Sequence, residues 1–333
     1  FEMDDLSMDG FRKLFCEFSG VPINIYSNPH FVNRLHLLTP IYHTDEKWTE
    51  FMRATDVYKT EKSYIEHVNN LTAQIGTLIS TRLTPDKVNR AVRGLSDGAY
   101  DRFIKRDEIF NLNNVGRKFA RIYIRDKAFY VLRWVDSSIV DTKINWVEFI
   151  RKYTDDRNII CNFPVQERVL GLDTNDLMMY ALDCLTIKML VESVFKCFSY
   201  RDVARLCDGE IYISLPQDHG VISYNNLNSE LMKWSKATGI PFELEVFRVG
   251  YFRGADSYIK RFETGKTGKD DFELVGTDPA MAAFIARKLF DQPVTHSDMY
   301  FTYKGRLAQF TKVPIIEEVG YKGNQGWLWW VHW

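Results

Sequence analysis

The chain has 333 residues, 45% hydrophobic and 14% aromatic, with 43 Lys and Arg against 44 Asp and Glu and a formal net charge of -1. That mixture supports sizeable cores and excludes a disordered or collagen-like chain. The charge balance excludes a chain-wide basic field, the usual electrostatic footprint of a nucleic-acid binder. Five cysteines (Cys16, Cys161, Cys184, Cys197 and Cys207) without a CxxC predict buried thiols in a reducing compartment, hence an intracellular location. No apolar run approaches the roughly 18 residues of a membrane-spanning helix, which predicts no membrane insertion. The opening Phe1-Glu2-Met3-Asp4-Asp5 has no basic, apolar signal sequence and reads as a processed product or the ordered part of a longer polypeptide.

In chain order, residues 1–45 alternate apolar patches with Pro22, Pro29 and Pro40, the pattern of an irregular N-terminal arm or lid. From about Asp45 to Thr81 the period becomes helical, with Tyr64, Val68, Leu71, Ile75, Leu78 and Ile79 on one stripe. Thr84-Pro85 starts another helix, cap then first position, and Gly94 closes it. Between Phe119 and Ile139, apolar Ile122, Ile124, Tyr130, Leu132 and Trp134 interleave with charges, as in exposed strands, with a helix as the alternative. Trp146 to Tyr153 reads as a short helix.

The strongest helical signal is Asp173 to Phe198, with Asp173 as its cap and Leu177, Tyr180, Cys184, Ile187, Val191, Val194 and Phe198 on a continuous apolar face. Glu210 to Leu215 is strand-like, Tyr224 to Thr238 helical, and Phe242 to Val249 a second strand followed by a bend between Gly250 and Gly254. Thr264 to Asp271 reads as an exposed loop, and Asp278-Pro279 opens one more helix. From 291 to 333 the chain becomes an extended segment ending in Trp327, Trp329, Trp330 and Trp333. The expected fold is predominantly α-helical, α+β: an N-terminal arm (1–45), a mainly helical body with short β insertions (46–290) and an aromatic C-terminal docking segment (291–333).

The motifs that suggest chemistry are incomplete. Gly265-Lys266-Thr267 lacks the glycine a phosphate loop needs five residues earlier, where Lys260 stands. His30, His36 and His43 are close in sequence but fit no zinc-ligand spacing. Cys207, Asp208 and His219 contain the residue types of a thiol nucleophile without its local signature. Asp173, Asp176 and Asp183 fit capping and solvation, and His296-Ser297-Asp298 fits a turn. Neither a catalytic set, a cofactor-binding site nor a metal site is assigned. Arg117, Lys118, Arg121, Arg125 and Lys127, with nearby aromatic residues, form the most basic short stretch and are the candidate RNA contacts.

The leading expectation is a structural subunit of a homo-oligomeric assembly, of the kind that builds a viral capsid or shell, located in the virion in that case. Its candidate interface anchors are Phe11, Phe15 and Tyr26 at one end and Trp327, Trp329, Trp330 and Trp333 at the other, because aromatic residues are enriched at interfaces. An intracellular enzyme with a site assembled from distant residues, and an RNA-binding module, are the alternatives.

Overall fold

A computed structural model of the chain describes residues 5–93, 106–109, 112–114, 116–155, 163–216, 220–253, 257–263, 271–303, 306–310, 315–320 and 327–332. It is a mixed α+β structure in which helix predominates. Among the described residues, no helix is long and apolar enough to cross a membrane. Residues 5–42, read from sequence as an arm, form two core helices, α1 (Asp5–Ser19) and α2 (His30–Tyr42). Phe11, Leu14, Phe15 and Phe18 recur at spacings of three and four, so one face of α1 is apolar, and all four are buried. The prolines do not break this pattern: Pro22 lies in the connection and Pro40 in the last turn of α2. The Phe15 ring lies 5.0 Å from Trp48 and 5.5 Å from Phe51 of α3 (Thr44–Thr55).

The stretch expected to be helical from about Asp45 to Thr81 consists of two helices, α3 and α4 (Glu61–Arg82). A new start intervenes at Thr60, whose side chain accepts a hydrogen bond from the Ser63 amide at 3.2 Å. Tyr64, Val68, Leu71, Ile75 and Ile79 form the buried stripe of α4. The helix α5 (Pro85–Ala91) follows its Thr84–Pro85 start. Gly94, beyond its far end, lies outside the described residues.

The segment read from Phe119 to Ile139 as strands, with a helix as the alternative, divides into one of each, β2 (Lys118–Ile124) and α6 (Lys127–Val135), separated by Asp126 in a left-handed conformation (φ 48°). A short strand β1 (Arg106–Asp107) precedes them, and α7 (Trp146–Ile150) and α8 (Phe163–Leu170) follow. The central helix α9 (Asp176–Glu192) is capped by Asn175, not Asp173: the Asn175 side chain accepts from the amides of Leu177 (3.0 Å) and Met178 (3.2 Å). Asp173 sits just before it, in a 3-10 turn. Burial nearly all round α9 means that packing, rather than propensity, holds it.

The strands β3 (Val203–Cys207) and β4 (Glu210–Ser214) form a tight hairpin through Asp208 and Gly209, both at positive φ. They are followed by α10 (Gly220–Thr238), β5 (Phe242–Arg253), β6 (Tyr258–Phe262), β7 (Asp271–Val275) and α11 (Ala282–Leu289). The strand β5 runs through Gly250, where the sequence suggested a bend. Gly254 lies outside the described residues. Asp278 caps the turn before α11 as expected, accepting from the Ala280 amide at 2.9 Å.

The C-terminal section contains a hairpin, β8 (Tyr300–Tyr303) and β9 (Arg306–Gln309), and a second ribbon, β10 (Ile315–Gly320) and β11 (Trp327–His332). The start of this section is fixed by Asp298, which is buried between Arg34 of α2 and Arg287 of α11 (3.4 Å).

Among the described residues, nine strands form one sheet in the order β1-β3-β4-β2-β5-β11-β10, with β6 also pairing with β5 and β7 with β6. Register shows how this is possible. Residues 242–248 of β5 pair with β2, and the strand then meets β11 through Tyr251↔Trp330, Phe252↔Val331 and Arg253↔His332. One long strand therefore serves two neighbours end to end. Alternation divides the sheet into two faces. The inner face packs in the main helical core through Ala120, Ile122, Ile124, Ile211 and Ile213. The second face carries a smaller core of Phe119, Tyr212, Phe247 and Tyr258, together with the charges.

Candidate functional site

The second face bears a row of ionisable side chains that changes sign from strand to strand: Asp107 on β1, Arg205 on β3, Glu210 on β4, Arg121 on β2, Glu245 on β5, Lys260 on β6 and Glu273 on β7. Register aligns Arg205 and Arg121 on either side of Tyr212, Arg121 with Glu245, and Lys260 with Glu273. Opposite charges on adjacent strands stabilise a sheet, whereas like charges directly opposite destabilise it.

Arg121 bridges three carboxylates. It is paired with Glu210, lies 3.0 Å from Glu273 and 3.5 Å from Glu245, and its guanidinium sits 4.6 Å from the centre of the Tyr123 ring. Burial opposes its charge, but Glu210 and Glu273 outweigh burial and hold it firmly protonated. Lys260 is fully buried. Its ammonium donates to Glu273 at 2.7 Å and to the Tyr212 hydroxyl, and lies 4.6 Å from the centre of the Tyr212 ring. Burial lowers the Lys260 pKa, with Glu273 and Glu210 opposing.

The Tyr212 hydroxyl is the hub. It accepts from Lys260 and from Arg205 (2.9 Å) and donates to Glu210 (2.6 Å). Burial, then Glu210 and Glu273, push its pKa up, so it remains a neutral phenol. Burial raises the Glu210 pKa, but Arg121, Lys260 and the Tyr212 hydroxyl override it and hold the carboxyl at about 2. Donors and acceptors are matched at the hub, so its direct physical consequence is rigidity in the sheet that receives β11.

The basic stretch singled out for RNA contact is drawn into such pairs. Lys118 meets Glu263 at 2.8 Å, Arg125 pairs with Glu243, and Lys127 meets Glu167 at 3.0 Å. Arg121 is the centre of the triple bridge, while Arg117 is exposed. Acids from distant strands and helices thus partner four of the five cations. Those acids carry no local signal in the sequence. Lys118 is 145 positions from Glu263, and Arg121 is 89 from Glu210, 124 from Glu245 and 152 from Glu273.

The anchor residues separate into two groups. Phe11 and Phe15 are buried in their own chain's core, which leaves them no surface in the single chain. Their sequence signal, an aromatic stripe at helical spacing, is equally the signal of an inward helix face. Tyr26 is half-buried, and its backbone carbonyl accepts from Arg12 at 2.9 Å. Trp327, Trp329 and Trp330 lie on β11, whose last three described residues pair with β5 of the same chain. Trp333 lies outside the described residues.

The other motif residues fall apart spatially or into local structure. His36 meets Asp45 at 3.1 Å, His43 joins α2 to α3 at positive φ, and His30 begins α2. Among the described residues no group of three His, Cys, Asp or Glu side chains is arranged to hold a metal. The Cys207 sulfur accepts from Arg205 at 2.8 Å, and burial pushes its thiol up to about 12, with Arg205 opposing. His219 and Gly265-Lys266-Thr267 lie outside the described residues. His296-Ser297-Asp298 forms a 3-10 turn whose Ser297 hydroxyl accepts from Arg34 at 2.9 Å. Comparison of the chain with protein-family models, curated proteins and solved structures returns no match.

Proposed function

We propose that this chain is a structural subunit of a homo-oligomeric assembly, joined through the ribbon of β10 and β11. The observation that supports this reading is the ribbon's pairing: six residue pairs hold its two strands together, but three attach it to β5. Among the described residues, β10 has β11 as its only strand neighbour. A two-stranded ribbon is marginal in water by itself. One whose sequence includes Trp327, Trp329 and Trp330 has much to gain from a further surface, since aromatic side chains dominate interface energetics.

A viral capsid or other shell is the closed form of such an assembly, since repeated contacts between identical chains close into a point group or run on as a filament. Light scattering over a wide concentration range, with and without residues 315–333, tests the reading. Assembly that disappears with the deletion supports it; a full chain that stays monomeric, or an assembly unchanged by the deletion, contradicts it.

A further inference from the structure

We propose that the Tyr64 hydroxyl and the Arg168 guanidinium, brought together on the Phe18 ring, form a binding site for a small carboxylate such as acetate or formate. Tyr64 of α4 is 1% exposed, and its buried hydroxyl has no hydrogen-bond partner among the described residues. Its ring is held by three others, with centres 5.9 Å away at Phe18 of α1, 5.5 Å at Phe51 of α3 and 5.3 Å at Tyr58. That packing accounts for the ring but not for the hydroxyl, which ordinarily finds a partner when buried. Phenylalanine would fill the same space without an unpaired polar group.

Arg168 of α8 is the second, independent feature. Its guanidinium lies 4.5 Å from the centre of the Phe18 ring, and among the described residues it meets no carboxylate. Phe18 therefore contacts both groups. The charge of Arg168 also bears on the Tyr64 hydroxyl, opposing the rise in pKa that burial causes. Burial prevails, so the phenol keeps its proton at neutral pH and can donate it to an acceptor. Arg168 is exposed where Tyr64 is buried, and the pair thus leads from solvent to the interior.

These donors select the chemistry of the ligand. The planar fork of a guanidinium matches a carboxylate, whose oxygen can accept a further bond from the hydroxyl. One cation is present, so one negative charge is balanced, whereas the two of a phosphate are not. His67, one turn on from Tyr64, is no second cation: burial lowers its pKa, and its Nε2 lies 3.3 Å from the Thr154 hydroxyl. Asp155, which bears on Tyr58 and His67, further disfavours a more highly charged ligand. The surrounding rings strengthen any bond made to the buried hydroxyl. The site uses no residue of the ladder or of the ribbon and is independent of assembly.

Thermal unfolding of the full chain tests this, in sodium acetate or formate against sodium chloride of equal ionic strength, with Tyr64→Phe and Arg168→Leu beside the parent. A ligand that binds the folded chain raises its midpoint as ligand concentration rises. The parent should gain at least about 2 °C over chloride, and each substitution should remove most of that gain. In chloride, Tyr64→Phe should be at least as stable as the parent, because it deletes an unpaired hydroxyl. The part of the gain that the substitutions remove should be larger in acetate than in inorganic phosphate. No gain in the parent, or an equal gain in all three proteins, overturns the site. A Tyr64→Phe chain less stable than the parent in chloride overturns it too, by showing that the hydroxyl is already satisfied. A larger substitution-sensitive gain in phosphate overturns the carboxylate assignment.

Discussion

The ammonium of Lys260 lies 2.7 Å from Glu273, yet the lysine side chain is fully buried and the glutamate is 35% exposed. The two ends of this pair are therefore not equivalent. Glu273→Gln leaves a poorly compensated charge inside the sheet and should cost about 3 kcal/mol. Lys260→Met leaves a carboxylate that water can reach, and Tyr212 keeps its bonds to Arg205 and Glu210, so the loss should be nearer to about 1 kcal/mol. Urea unfolding of the two variants checks the order; equal losses would contradict it.

Arg121 should be the most sensitive member of the ladder. Arg121→Met leaves Glu210, Glu245 and Glu273 facing one another without their shared cation, a loss of about 3–5 kcal/mol. Arg121→Lys retains the charge but not the planar, many-donor geometry and should recover only part of that. Chemical denaturation distinguishes the two, and full recovery by lysine would show that charge alone matters.

Acid should weaken the fold through Glu210. Its folded pKa of about 2 lies below its ordinary 4.5, so its contribution is present above 4.5 and fades as the pH falls toward about 2. Asp136, held at about 2 chiefly by its hydrogen bond from Lys87, acts in the same direction. Glu210→Gln should be less stable than the parent near neutrality and show a shallower loss of stability across that acid window. Parallel pH–stability curves would contradict the assignment.

Three thiols should be sluggish. Burial pushes Cys16 and Cys207 up to about 12 and Cys184 up to about 11, leaving little thiolate near neutrality. A thiol-reactive chromogenic disulfide should label these three in the native chain only as it unfolds, as peptide mapping of the labelled protein would show. Rapid native labelling of Cys16 would contradict its burial.

At the β3–β4 turn, Gly209 has φ +79°, and a Cβ there would lie 3.1 Å from two methyl groups of Leu182. Gly209→Ala should cost about 1–3 kcal/mol, combining left-handed strain with the approach of α9. Thermal unfolding measures it, and an unchanged midpoint would contradict the close approach.

What sequence reveals here depends on how far apart the partners lie. Tyr64, Val68, Leu71 and Ile75 announce the buried side of α4 because their spacing is local. The Asp278 cap and the strand at Glu210 are legible for the same reason. Phe11 and Phe15 are legible as a stripe, but the same pattern serves a core and an interface, and packing of Phe15 against Trp48 and Phe51 places it in the core. The charged ladder is illegible: Arg121 finds its three carboxylates on β4, β5 and β7, far away in the chain, and register sets only Glu245 directly opposite it. Nor does sequence show that β5 continues past Gly250 to receive the tryptophan strand.

Assembly is decided by the solution mass of the full chain, measured by light scattering across a wide concentration range beside a variant lacking residues 315–333. The full chain should show a mass above 39.0 kDa that rises with concentration, and the folded deletion variant should fall to the monomer. A full chain that remains at the monomer mass throughout would contradict the reading of this protein as an assembly subunit.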